Sequence, residues 1–257
     1  MDTNPSLVQE ARNRPASSIP LVLIHDGGGT TFGYYLLGEL HPARELWAIH
    51  NPNYKSSRPY PKTMQEIARD YIRMIESSGI HGPIYLGGWS LGGLLSAVIA
   101  NELSKSTAPV SFSLAGLLLI ESPFHRPHAD CPPVRTLNFA HLPQHVSNCL
   151  NGCTDMLKEW AMPTTGPEGW LPRAVLIRST QRVEAGAGES SALPARIDLS
   201  RDDKILWWGH IGQDFIIETI DVESNHYNIF AMNKIEEVTW AINRALQILD
   251  KSRGVSE

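Results

Sequence analysis

Residues 88–92 read Gly88-Trp89-Ser90-Leu91-Gly92, which fits the pattern G-x-S-x-G. With glycine and serine each near ~7% of residues, this pattern arises by chance in roughly one chain of this size in ten, so its surroundings decide its weight. Apolar Ile84-Tyr85-Leu86 precedes it, and the apolar run from Leu91 to Leu103 follows. A strand, a tight turn and a helix in that order lift a serine hydroxyl above the end of a sheet. Gly87, Gly88, Gly92 and Gly93 let the strand and the helix approach closely.

A serine hydroxyl is a weak nucleophile until a base takes its proton, so a histidine is required nearby. Ten histidines are present. In the chain order serine, acid, histidine, the base lies in a loop after the last strand. His226 meets that demand, following Phe215–Ile220 and preceding the last helix. His25 and His50 end early strands, His81 precedes the strand leading to Ser90, and His210 precedes the last strand; each reads as a structural imidazole. The third member is a carboxylate that fixes the imidazole tautomer. The strand Leu114–Ile120 ends at Glu121-Ser122-Pro123, which makes Glu121 the leading candidate. Glu184, Asp221, Asp202 and Asp203 stay open as alternatives, as does the absence of any acid. A tetrahedral intermediate needs two backbone N–H donors. Leu91, directly after the serine, supplies one, and the turn Asp26-Gly27-Gly28-Gly29 offers Gly27 as the other. That turn lacks the G-x-G-x-x-G spacing of a nucleotide loop, because position 32 is Phe.

Elements must carry these residues to one place. Leu21–His25, Leu46–His50, Ile84–Leu86, Leu114–Ile120, Ala174–Ile177 and Phe215–Ile220 are apolar runs that predict six strands. Met64, Ile67, Ala68, Tyr71 and Ile75 share one helical face, and Leu91–Leu103 and Ile235–Leu249 predict two more helices. Continuous apolar strands alternating with helices mean an α/β fold with a mostly parallel sheet covered on both faces. Ser122–Pro172 breaks the rhythm, with eight prolines, all three cysteines and a predicted helix over Val146–Trp160. A simple crossover is far shorter, so this segment is expected to be a lid insertion (122–172) within one domain spanning 1–257. Ala185–Pro194 is expected to be a flexible surface loop.

The 257 residues are 42% hydrophobic and 19% charged, with a net charge of −5, which excludes a disordered tail and offers no basic footprint for nucleic acid. No apolar run is long enough to cross a membrane; the nearest, Ile84–Ala100, holds four glycines and two serines. The first twenty residues are polar, so reduced thiols at Cys131, Cys149 and Cys153 and a cytoplasmic location are expected. No His or Cys spacing predicts a metal site. Met1 close to the first strand favours a free-standing chain.

With these residues placed, the chain resembles the thioesterase domains of type I polyketide synthases and non-ribosomal peptide synthetases, particularly the fungal polyketide branch. The matching pieces are Leu21–Gly29 (LVLIHDGGG), Leu46–Tyr54 (LWAIHNPNY), Gly87–Gly93 (GGWSLGG), Leu117–Pro123 (LLLIESP) and Trp208–Phe230, ending NHYNIF. The resemblance implies an α/β-hydrolase fold and an acyl-serine intermediate. It implies release of an acyl chain, by hydrolysis or cyclisation, from the phosphopantetheine thioester of an acyl carrier protein or polyketide synthase, with no other cofactor. It also places the acid where Glu121 stands. That position is usually Asp in the family, and one more methylene must move either the carboxylate or the histidine. Two other readings remain: an esterase or lipase of the same fold acting on small esters, and a non-catalytic homologue that binds an acyl chain or a partner. Carrier proteins of such systems are usually acidic, which makes Lys55, Arg58, Lys62, Arg126 and Arg135 candidates for a docking face.

Overall fold

The computed structural model describes residues 3–11, 18–139, 141–167, 169–186 and 192–254. Its centre is one seven-stranded sheet. The strands are β1 (Ser6–Gln9), β2 (Leu21–Ile24), β3 (Leu46–Ile49), β4 (Gly82–Trp89), β5 (Phe112–Ile120), β6 (Ala174–Ser179) and β7 (Ile216–Val222). They lie in the order β1-β3-β2-β4-β5-β6-β7, and every pairing is parallel except that of β1 with β3. The helices are α1 (Met64–Ser77), α2 (Leu91–Lys105), α3 (Gln144–Leu157) and α4 (Ile235–Ser252).

The strands are apolar throughout because both faces are covered. Val22 and Ile24 face the core beneath α1 and α2, whereas Leu21 and Leu23 face the core beneath α4. Leu117 and Leu119 alternate with Leu118 and Ile120 in the same way along β5. This is the period-two geometry of a strand applied to a sheet with two dry sides. α2, apolar nearly all round, is buried at eleven successive residues, Leu91 to Asn101. α1 shows the apolar face expected of it, and its start is fixed by a capping box between Thr63 and Glu66.

The register then does the positioning. Ile24 pairs with Gly88, Trp89 with Ile120, and Ile120 with Ile177. The carboxyl ends of β2, β4, β5 and β6 therefore finish side by side, and whatever follows each strand emerges at one edge.

The expectation of an α/β-hydrolase fold holds, with two corrections. The sheet has seven strands rather than six, because β1 adds an antiparallel edge. Its sequence, SLVQ, is half-buried and too short and mixed to stand out as an apolar run. The last strand, expected over Phe215–Ile220, extends to Val222 as β7, so Asp221 lies within it. The predicted helix over Val146–Trp160 is α3, displaced about one half-turn toward the amino terminus. The loop expected over Ala185–Pro194 falls mostly outside the described residues, at 187–191. No helix among the described residues is long and apolar enough to cross a membrane.

Candidate active site

Ser90 sits between β4 and α2 with φ 56° and ψ −114°, a strained conformation for a residue with a Cβ. Its neighbours hold it there. The Ser90 N–H donates to the Ile120 carbonyl (2.9 Å), and the Ser122 hydroxyl donates to the Ser90 carbonyl (2.7 Å). Gly92 has no room for a side chain, since a Cβ would run into the Ile24 carbonyl. That contact brings the turn after β2 against the start of α2.

His226 follows β7 in a turn organised by Asn225, whose side-chain oxygen accepts the N–H groups of Tyr227 (3.0 Å) and Asn228 (3.1 Å). Its Nε2 lies 2.9 Å from Ser90 Oγ. Its Nδ1 lies 3.4 Å from Glu121 Oε1. The imidazole is 3% exposed and lies beside the Trp89 ring, with centroids 5.9 Å apart. Serine, histidine and glutamate thus stand in one line, brought together from 136 and 105 residues apart.

Glu121 is fully buried, at the end of β5, with φ 44°. Its Oε2 accepts the Ser179 N–H (2.6 Å) and Arg201 Nη1 (3.0 Å), and its Oε1 accepts Arg201 Nη2. Arg201 is itself buried, donates to the Ser179 carbonyl (2.6 Å) and pairs with buried Asp198 (3.3 Å). Burial alone would raise the Glu121 pKa, but hydrogen bonds and charges from His226 and Arg201 outweigh it and hold the carboxyl down at about 2. Ser179 ties the group together, because its hydroxyl also meets that of Ser224 (2.9 Å), two residues before His226. Arg201, Asp198 and Ser179 were not singled out from the sequence. Their signal is tertiary: Ser200-Arg201-Asp202-Asp203 reads as a solvated charged loop.

The alternative acids are engaged elsewhere. Asp221 forms a two-pronged pair with Arg178 (2.9 Å each), and Asp202 pairs with Arg182 at the surface (2.7 Å). Asp203 accepts the N–H groups of Ile205 (3.0 Å) and Trp207 (2.8 Å). Glu184 is exposed. His25 is fully buried between the Asp26 carbonyl and the Tyr71 hydroxyl (2.6 Å each), and burial lowers its pKa to about 4.

The N–H groups of Leu91 and Gly27 find no acceptor within the protein among the described residues. Gly27 and Gly28 lie under α3, against Leu150, Cys153 and Val146. All three cysteines are free thiols, and burial pushes Cys149 to about 11 and Cys153 to about 12, so neither is a nucleophile near neutral pH. Asp26 is a less expected feature. Its carboxyl is raised to about 6, chiefly by burial, with backbone N–H groups of Thr30 and Gly28 opposing the rise. Among the described residues no group of three or more His, Cys, Asp or Glu side chains is placed to hold a metal ion. Of the five basic docking candidates, Arg135 is withdrawn. It is 8% exposed, and its guanidinium donates to the carbonyls of Val183 (2.6 Å), Glu184 and Leu193 (3.1 Å each).

Ser90 and His226 open into a cavity of about 850 Å³, walled by α3, by residues 123–139 and 141–142 and by residues 196–200. Chemically, the arrangement can take a proton from a hydroxyl as it attacks.

Comparison with known proteins decides the family. A thioesterase-domain model matches residues 19–124. The probable thioesterase KK1J of Curvularia clavata is 34% identical, over 90% of this chain and 90% of that protein. The chain belongs to the thioesterase family. This thioesterase is a hydrolase acting on thioesters. It is also 40% identical, over 99% of its length, to 8% of the nonribosomal peptide synthetase imqB of Aspergillus flavus. The crystal structure of the NocB thioesterase domain from the nocardicin cluster shares the fold with a TM-score of 0.63, at 22% identity over 89% of this thioesterase and 93% of that chain.

Proposed function

We propose that this thioesterase releases a polyketide-type acyl chain from the phosphopantetheine thioester of a carrier protein, through an ester on Ser90. The observation that carries the reading is the contact of His226 Nε2 with Ser90 Oγ at 2.9 Å, with the other imidazole nitrogen turned to Glu121. Ser90 Oγ attacks the thioester carbonyl while Nε2 takes its proton. Ionised Glu121 holds Nδ1–H and stabilises the imidazolium. The N–H groups of Leu91 and Gly27 receive the oxyanion. Collapse breaks the C–S bond, and His226 returns the proton to the departing thiolate. Water or a nucleophile within the acyl chain then attacks the ester, with His226 again as base. The reading calls for no cofactor beyond the carrier's arm.

Residues 122–172 act in this reading as the lid. The position of α3 directly over the Asp26–Gly29 turn supports that role, since a chain entering the cavity lies beneath it. The carrier-borne substrate draws its support from the synthetase relative, in which a segment like this chain is one part of a much longer protein. The test compares pantetheine thioesters with the matching oxygen esters. A strong preference for the pantetheine thioester is expected, lost in Ser90→Ala by at least about a thousandfold. Equal turnover of both would favour a general esterase.

A further inference from the structure

We propose that the cavity wall formed by residues 124–131 and 196–200 is a subsite for anionic or hydrogen-bond-accepting oxygens on the acyl group, so that the substrate is an oxygenated acyl chain and not a plain aliphatic one. This rests on the thioesterase reading above and adds a substrate class to it.

The cavity lining is of two chemical kinds. Val146, Leu150 and Leu157 of α3 present hydrocarbon. Arg126, Arg196 and Ser200 present polar groups to the same cavity. The Arg126 guanidinium lies over the Trp207 ring, 5.6 Å from its centroid, and Arg196 donates to the Arg126 carbonyl, which ties the two cations to one wall. Neither guanidinium pairs with a carboxylate among the described residues, Arg196 meeting the Cys131 side chain instead, although Asp26 and Glu184 line the same cavity. Ser200 is 2% exposed, and its hydroxyl has no hydrogen-bond partner among the described residues. An unpartnered buried hydroxyl in a cavity that two arginines also line costs stability unless something supplies acceptor oxygens.

Position fits the acyl end. Arg126 follows Ser122 by four residues, and Ser122 is bonded to the Ser90 carbonyl. Four residues of extended chain reach at most ~14 Å, within the span of an acyl chain held on Ser90. The phosphate of a pantetheine arm is a second source of anionic oxygen. The burial of Phe124, His125 and Ser200 favours the acyl source, because a carrier-linked phosphate stays near the protein surface.

The test uses paired acyl thioesters of N-acetylcysteamine, matched in length, one of each pair ending in a methyl and the other in a carboxylate. The wild type is expected to favour the carboxylate-ended member in kcat/KM by roughly tenfold or more. That ratio should fall toward unity in Arg126→Gln and Arg196→Gln, and partway in Ser200→Ala. Because the ratio is taken within each variant, a partly misfolded preparation does not alter it. Turnover of both members without preference would overturn the subsite. So would a loss in the arginine variants confined to coenzyme A thioesters whatever their acyl end, which would move the anion to the arm. Calorimetric binding of the same thioesters to Ser90→Ala reads the subsite without chemistry. A preference there with no wild-type turnover would uphold the subsite and sink the thioesterase reading.

Discussion

Glu121 is held by more partners than it needs to orient one imidazole. Arg201 grips both of its oxygens and Ser179 donates an N–H, while the contact to His226 is the longest of the set at 3.4 Å. The glutamate side chain is thereby anchored at the strand end. Removing the guanidinium in Arg201→Met leaves two buried carboxylates unpaired and should cost about 3–5 kcal/mol in urea denaturation, with Arg201→Lys losing less. Glu121→Gln should lower kcat/KM by roughly a hundredfold or more, because the imidazolium loses its counter-charge. An unchanged rate would show that the acid lies elsewhere. The carboxyl's pKa falls from its ordinary 4.5 to about 2 in the folded protein, so its stabilising contribution is complete above pH 4.5 and is lost as pH falls toward 2. The stability gap between wild type and Glu121→Gln should therefore narrow over that window; a gap constant with pH would contradict the ion pairing.

At the scale of elements, the site depends on how closely β2, β4 and α2 approach. Gly92→Ala puts a methyl against the Ile24 carbonyl and must push α2 away from β2. A loss of about 1–3 kcal/mol is expected, with a fall in activity larger than the unfolded fraction explains, because Ser90 and the turn at Gly27 separate. The turn after β2 carries a cost of a different kind. Asp26 has its pKa raised from 3.8 to about 6, so ionising it in place disfavours folding above pH 6, and the penalty vanishes below pH 3.8. Asp26→Asn should gain about 3 kcal/mol of stability at pH 8 and little at pH 4, as read by thermal melts. A melting temperature equal to wild type at pH 8 would mean that the carboxyl is well solvated there. These elements were legible in the sequence to the extent that their signals are local. β2, β4, β5, α1, α2 and α4 are apolar runs or faces, and Ser90 and His226 follow from a motif and from chain order. β1 is a short edge strand with only two apolar residues, and Arg201 is a buried cation in a charged stretch. Neither differs in sequence from ordinary surface, because partners 40 to 80 residues away decide what they do.

Across the molecule, chemistry and stability sit at opposite ends of the sheet. The carboxyl edge carries Ser90, Glu121 and His226. At the other edge, fully buried Arg44 donates to the Ile19 carbonyl (3.1 Å) and to Asp250 of α4 (2.7 Å), and Asp250 also accepts the Tyr85 hydroxyl (2.8 Å). Arg44→Met should lower stability by roughly 3 kcal/mol while leaving kcat/KM of the folded enzyme unchanged. The central claim is that Ser90 is the acylated nucleophile and that His226 activates it. Intact-mass spectrometry and peptide mapping after exposure to a fluorophosphonate test it most directly. One adduct per chain on Ser90, absent in Ser90→Ala and strongly slowed in His226→Ala, is the predicted result. Folded wild-type protein that takes no label, or an adduct that persists in Ser90→Ala, would contradict it.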